Sequence, residues 1–132
     1  MAADAPSETS GADSPDGLPR GLPRNFLRPC LLLLIAEQPS HGYDLLERLT
    51  EIGYQRAEPG GLYRTLRLLE QEGLIASDWG TSDVGPRRRT YWLTDDGMDW
   101  LHAWAGSMRY TRDVLDRYLD RYETVVRAER KD

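Results

Sequence analysis

The chain has 132 residues, a single cysteine and a formal net charge of −5 at pH 7. That length supports one domain with a modest core, and a lone Cys30 excludes an intrachain disulfide or a multi-cysteine metal site. The acidic balance excludes a protein that coats nucleic acid by bulk attraction.

Charge is unevenly spread. Residues 1–23 hold four acids and one arginine, residues 95–132 hold nine acids and seven bases, and residues 24–94 hold nine of each. Within that neutral middle the bases gather at 64–67 and 87–89, a local basic patch on an acidic molecule. No apolar run reaches the roughly 18 residues needed to span a bilayer. The N-terminus lacks a signal-peptide core, so a cytoplasmic location is expected.

Residues 1–23 are rich in Ala, Asp, Ser, Pro and Gly and read as a disordered tail. A helix is expected from Asn25 to Gln38. Its centre, Leu31 to Ile35, is apolar all round, which implies burial on more than one side: one towards the domain core, another towards a partner helix. Cys30, among apolar neighbours, reads as a small buried hydrophobe. Pro39 and Ser40 break the chain, and Ser40 is the expected N-cap of a second helix, His41 to Ile52, with Leu45, Leu46 and Leu49 inward. His41 stands where a helix N-terminus can meet a phosphate; the alternative is an ordinary surface histidine. With His102 distant and no acidic cluster at ligand spacing, no metal is expected. Gly53 ends this helix.

The stretch "PGGLYRTLRLLEQEGLIASDWGTSDVGPRRRTYWLT", Pro59 to Thr94, organises the rest. Leu62, Leu66 and Leu69 recur at helical spacing, leaving Tyr63, Arg64, Arg67 and Gln71 on the opposite side. Gly73 stops the helix. Leu74 to Trp79 and Arg88 to Leu93 then read as two strands joined by a turn over Asp83-Val84-Gly85-Pro86. A helix with two free cations followed by a hairpin tipped by Arg87, Arg88 and Arg89 suits duplex DNA. The helix would enter the major groove, roughly 12 Å wide, and the hairpin would reach neighbouring phosphates. The alternative for these arginines is a solvated face neutralised by Asp83 or Glu70.

Thr94 is the expected cap of a last helix, with Asp95 and Asp96 in its first turn. Leu101, Trp104, Met108, Thr111, Leu115, Tyr118, Tyr122 and Val125 alternate spacings of three and four up to about Arg127, a heptad seam that one helix cannot bury alone. A homodimer through this helix is expected, with Trp100 and part of Trp104 packing on the chain's own domain. The expected architecture is mainly α with a small β-hairpin: a winged helix-turn-helix domain over 24–94, a dimerisation helix over 95–127 and a short tail over 128–132.

At this point "LLLLIAEQPSHGYDLLERL" at 31–49, "GGLYRTLRLLEQEGLI" at 60–75 and "GPRRRTYWLTDDG" at 85–97 together resemble the PadR family of bacterial transcriptional regulators, in its smaller form with a single C-terminal helix. The resemblance implies a homodimer that binds a palindromic double-stranded DNA operator, usually as a repressor, and in several members releases it when a small, often aromatic, effector binds. Tyr63 and Arg64 match the family positions that open the recognition helix, with Arg67 one turn on. Gly85, Pro86 and Arg87 match the wing tip, with Arg88 beside them. The effector pocket of the drug-binding members would correspond to Met108 and Arg112, with Trp104 one turn earlier. Gly61 and Leu68 depart from the usual family residues, as does Met108, which replaces the flat aromatic of those members.

A winged-helix module that binds protein rather than DNA is the alternative function. An enzyme is not expected, since the chain has no nucleophile motif, phosphate loop or paired carboxylates in a pocket-forming context. No cofactor or membrane partner is expected.

Overall fold

A computed structural model describes residues 25–54, 57–80 and 88–131. The tail at 1–23, the turn at 83–86 and Arg87 lie outside the described residues. In chain order the elements are α1 (Leu27–Glu37), β1 (Ser40–His41), α2 (Gly42–Glu51), α3 (Pro59–Gln71), β2 (Ile75–Trp79), β3 (Arg89–Leu93) and α4 (Asp95–Lys131). The three strands form one antiparallel sheet in the order β1-β3-β2.

Helix α1 begins after a turn in which Asn25 takes φ 54°, a left-handed conformation that asparagine tolerates better than most residues. Pro29 sits in the first helical turn, where its missing amide hydrogen costs little. Cys30, Leu31, Leu32, Leu34 and Ile35 are all buried, as an all-apolar helix requires, while Leu33 remains partly exposed. Leu45 and Leu49 from α2, Leu62, Leu66 and Leu69 from α3, and Leu74, Ile75 and Tyr91 from the wing complete one core. Leu46 packs only at its edge.

Ser40 is not the cap of α2. It belongs to β1 opposite Tyr91, and its hydroxyl donates to the Gln38 carbonyl (3.0 Å) while accepting from Arg48. Helix α2 therefore starts at Gly42, after an extended His41 that makes no side-chain cap. Arg48 reaches back from α2 and donates to the Leu34 carbonyl and to Glu37 Oε1, each at 2.9 Å. One guanidinium thus ties together the end of α1, β1 and α2.

Gly53 (φ 101°) and Gly73 (φ 80°) terminate α2 and α3 in conformations that side chains disfavour. Thr94 caps α4 as expected: its hydroxyl accepts from the Gly97 amide (3.0 Å) and donates to the Gly73 carbonyl (2.7 Å).

Helix α4 runs on past Arg127 to Lys131, 37 residues in all, or about 55 Å at 1.5 Å per residue. Trp100 and Leu101 pack on the core, but every residue from Arg109 to Val125 is exposed. Most of the helix therefore projects from the domain.

Candidate nucleic-acid interface

Burying Leu62, Leu66 and Leu69 fixes the rotation of α3, so its other face must carry Gly60, Tyr63, Arg64, Arg67, Leu68 and Gln71 outward, all of them exposed. Arg64 and Arg67 make no ion pair with any described residue. Arg67 and Tyr63 also lie within electrostatic reach of Tyr91. Burial raises the Tyr91 hydroxyl pKa above its ordinary value, Arg89 and Arg67 oppose that rise, and Glu70 and Tyr63 add to it.

Tyr63 has a second duty. A Cβ built on Gly42 would come within 2.6 Å of its Cε1, so the ring rests directly on the start of α2. A side chain at 42 would force the Tyr63 ring to move from this position. Next to it, Tyr43 is 72% exposed on the first turn of α2, a hydroxyl that sequence reasoning passed over.

The wing is anchored to α3 through side chains. The Ser77 hydroxyl donates to Glu70 Oε2 (2.8 Å), and Arg89 Nε donates to Ser77 Oγ (2.8 Å). The Arg89 guanidinium also lies over the Trp79 ring, 4.9 Å from its centroid. Among the described residues, Glu70 thus meets an arginine through Ser77 and forms no direct ion pair. Arg88 is exposed and unpaired among the described residues, and its carbonyl accepts from the Gly80 amide one step beyond the Trp79–Arg89 pair (2.9 Å). His41 sits on β1, its Nδ1 3.3 Å from Thr90 Oγ1 and 3.4 Å from the Arg89 carbonyl, half-buried against β3.

Along α4 the seam residues fall into two groups. Leu101, Trp104 and Met108 are half-buried near the domain, whereas Leu115, Tyr118, Tyr122 and Val125 stand in the open. Trp104 packs on Trp100 with centroids 5.4 Å apart, and the Arg28 guanidinium lies 5.5 Å from the Trp100 centroid. Arg28 is in turn ion-paired to Glu72, just past the end of α3. Trp104, Met108 and Arg112 follow one another at four-residue intervals on one side of α4, and among the described residues the carboxylate near Arg112 is that of Asp113, at 3.8 Å.

Burial raises the Cys30 thiol to about 11, which keeps it protonated and unreactive at neutral pH. Among the described residues no cluster of three or more His, Cys, Asp or Glu could hold a metal ion, and no helix is long and apolar enough to cross a membrane.

Residues 31–103 match the transcriptional regulator PadR-like family. The transcriptional regulator Rv3488 of Mycobacterium tuberculosis is 40% identical over 78 residues, which span 56% of this chain and 71% of that protein. A PadR family transcriptional regulator from Eggerthella lenta has a similar structure (TM-score 0.64, 30% identity, 73% of this chain and 83% of that one). So does Bacillus subtilis PadR in complex with operator DNA (TM-score 0.58, 28% identity), of which the match spans 48%, against 64% of this chain. With more than half its length inside the family pattern and a winged helix of matching topology, the chain belongs to the PadR-like family of transcriptional regulators.

Proposed function

We propose that the chain acts as a homodimer that binds a palindromic DNA operator and represses transcription from it. The observation that carries this reading is the pair Arg64 and Arg67, exposed on the outer face of α3 and in no ion pair with a described residue. Two cations on a helix narrow enough for the major groove can make bidentate contacts to guanine edges, with Tyr63 beside them. Arg87, Arg88 and Arg89 would hold the phosphates on either side, and His41 a phosphate at the start of α2. The operator complex of the Bacillus subtilis relative supports duplex DNA as the ligand. Such an activity belongs in the cytoplasm, beside the chromosome.

The second copy follows from α4. Leu115, Tyr118, Tyr122 and Val125 expose a stripe at heptad spacing, and burying each large apolar side chain contributes about 1.5–3 kcal/mol. Two helices zipped along that stripe, with Leu101, Trp104 and Met108 nearer the domains, would set the two α3 helices roughly 34–36 Å apart, one turn of the duplex. A flat aromatic effector entering beside Trp104, Met108 and Arg112 would compete with this arrangement and release DNA. The test is a titration of the chain against the duplex upstream of its own coding sequence. Saturable binding that Arg67→Ala weakens supports the reading, whereas binding that ignores both sequence and Arg67 points to a protein-binding module instead.

A further inference from the structure

The junction between α3 and α4 is built from backbone, and it is tighter than packing alone requires. Gly97, in the first turn of α4, lies so close to the segment that follows α3 that a Cβ there would sit 2.0 Å from the Leu74 carbonyl oxygen and 2.9 Å from Leu93 Cδ1. Three hydrogen bonds close the same joint. The Thr94 amide donates to the Leu74 carbonyl (3.1 Å), the Thr94 hydroxyl donates to the Gly73 carbonyl (2.7 Å), and that hydroxyl accepts from the Gly97 amide (3.0 Å). The one threonine hydroxyl therefore links the segment just past α3, through the Gly73 carbonyl, to the first turn of α4, through the Gly97 amide.

We propose that Thr94 and Gly97 are positioning residues that set the spacing between the two operator half-sites. This rests on the dimer and operator reading given above. If two copies join through α4, the separation of their α3 helices depends on the angle between α3 and α4 within each copy, and this joint fixes that angle together with the packing of α4 on α1 through Trp100 and Arg28. The leverage is large. Helix α3 has 13 residues, about 20 Å at 1.5 Å each, so a tilt of roughly 10° swings its far end by about 3 Å, close to one base-pair rise. A hydroxyl shared between the helices and a glycine that admits no side chain hold the angle more narrowly than apolar contacts would.

The test selects binding sites from a random-sequence duplex library with the full chain, then repeats the selection with Thr94→Val and with Gly97→Ala. The wild type should enrich two copies of one half-site at a single separation. Each folded variant should enrich the same half-site sequence, because α3 keeps its outer face, but at a separation shifted or spread by one or more base pairs, while remaining dimeric by sedimentation. Thr94→Ser, which keeps the hydroxyl, should return the wild-type separation. A folded Thr94→Val or Gly97→Ala with unchanged spacing overturns the proposal. So does unfolding of both variants by circular dichroism, since the joint would then serve stability alone. If the wild type enriches no paired half-sites, the operator reading itself fails, an outcome distinct from unchanged spacing.

Discussion

The Tyr63 ring lies on Gly42, with its Cε1 2.6 Å from where a β-carbon would stand. The contact joins the N-terminal half of α3 to the first turn of α2, so residue 42 bears directly on how the two helices pack. Gly42→Ala should destabilise the fold by about 1–3 kcal/mol, the usual range for overpacking. Truncating the ring as well should recover part of that loss. Urea denaturation of the two single variants and the double variant measures the coupling, and strict additivity would refute the contact.

Arg48 and its partners are unequal. The Arg48 side chain is 16% exposed and serves Ser40, the Leu34 carbonyl and Glu37, while Glu37 is 55% exposed. Arg48→Met should cost about 2 kcal/mol, because charged hydrogen bonds to a shielded carbonyl and hydroxyl are lost together. Glu37→Gln should change stability by less than about 0.5 kcal/mol, as expected of an ion pair whose acid is in water. Equal losses for the two variants would show that the ion pair, not the backbone bond, matters.

Two arginines should fail differently on DNA. Arg67→Ala should lose about 1–3 kcal/mol on the preferred sequence and relax discrimination, if it reads a guanine. Arg88→Ala should weaken all sequences alike and lower the salt slope by about one. Anisotropy titrations at several salt concentrations distinguish these outcomes, and identical profiles would contradict the division of roles.

Alkaline pH should destabilise the protein through Cys30. Burial lifts its thiol from 9.0 to about 11 in the folded state, so the folded chain binds that proton more tightly than the unfolded chain does. The resulting stability is complete below pH 9 and is lost as pH rises through about 11. Tyr91, also raised by burial, acts in the same direction. Melting temperatures across pH 8–11 should fall for the wild type and fall less for Cys30→Ala.

Exposed α4 residues should matter for assembly and little for the fold of one chain. Leu115→Asp combined with Tyr122→Asp should yield monomers at micromolar concentration with the helical circular dichroism of the domain retained. Sedimentation equilibrium decides, and an unchanged dimer would move the interface elsewhere.

Much of this architecture was legible in the chain because it rests on local signals. The Leu62, Leu66 and Leu69 stripe, the glycines at 53 and 73 and the Thr94 cap each depend on neighbours a few residues away. Strand β1 carries no such signal: two residues pair with Thr90 and Tyr91, some fifty positions later, and that pairing takes Ser40 away from capping. Arg48 gives no hint in sequence that it will hold α1, since its partners are a carbonyl and a hydroxyl brought near only by folding. The basic character of 87–89 was plain, but the Arg89 bond to Ser77 and its stacking on Trp79 depend on strand register.

The most direct measurement is binding stoichiometry and selectivity on one duplex. Labelled DNA from upstream of the coding sequence is titrated with the full chain near 0.15 M salt, against an unrelated duplex of equal length. The account predicts two chains per duplex and a preference of about 10³-fold or more for the upstream sequence. One chain per duplex, or equal affinity for both, would contradict it.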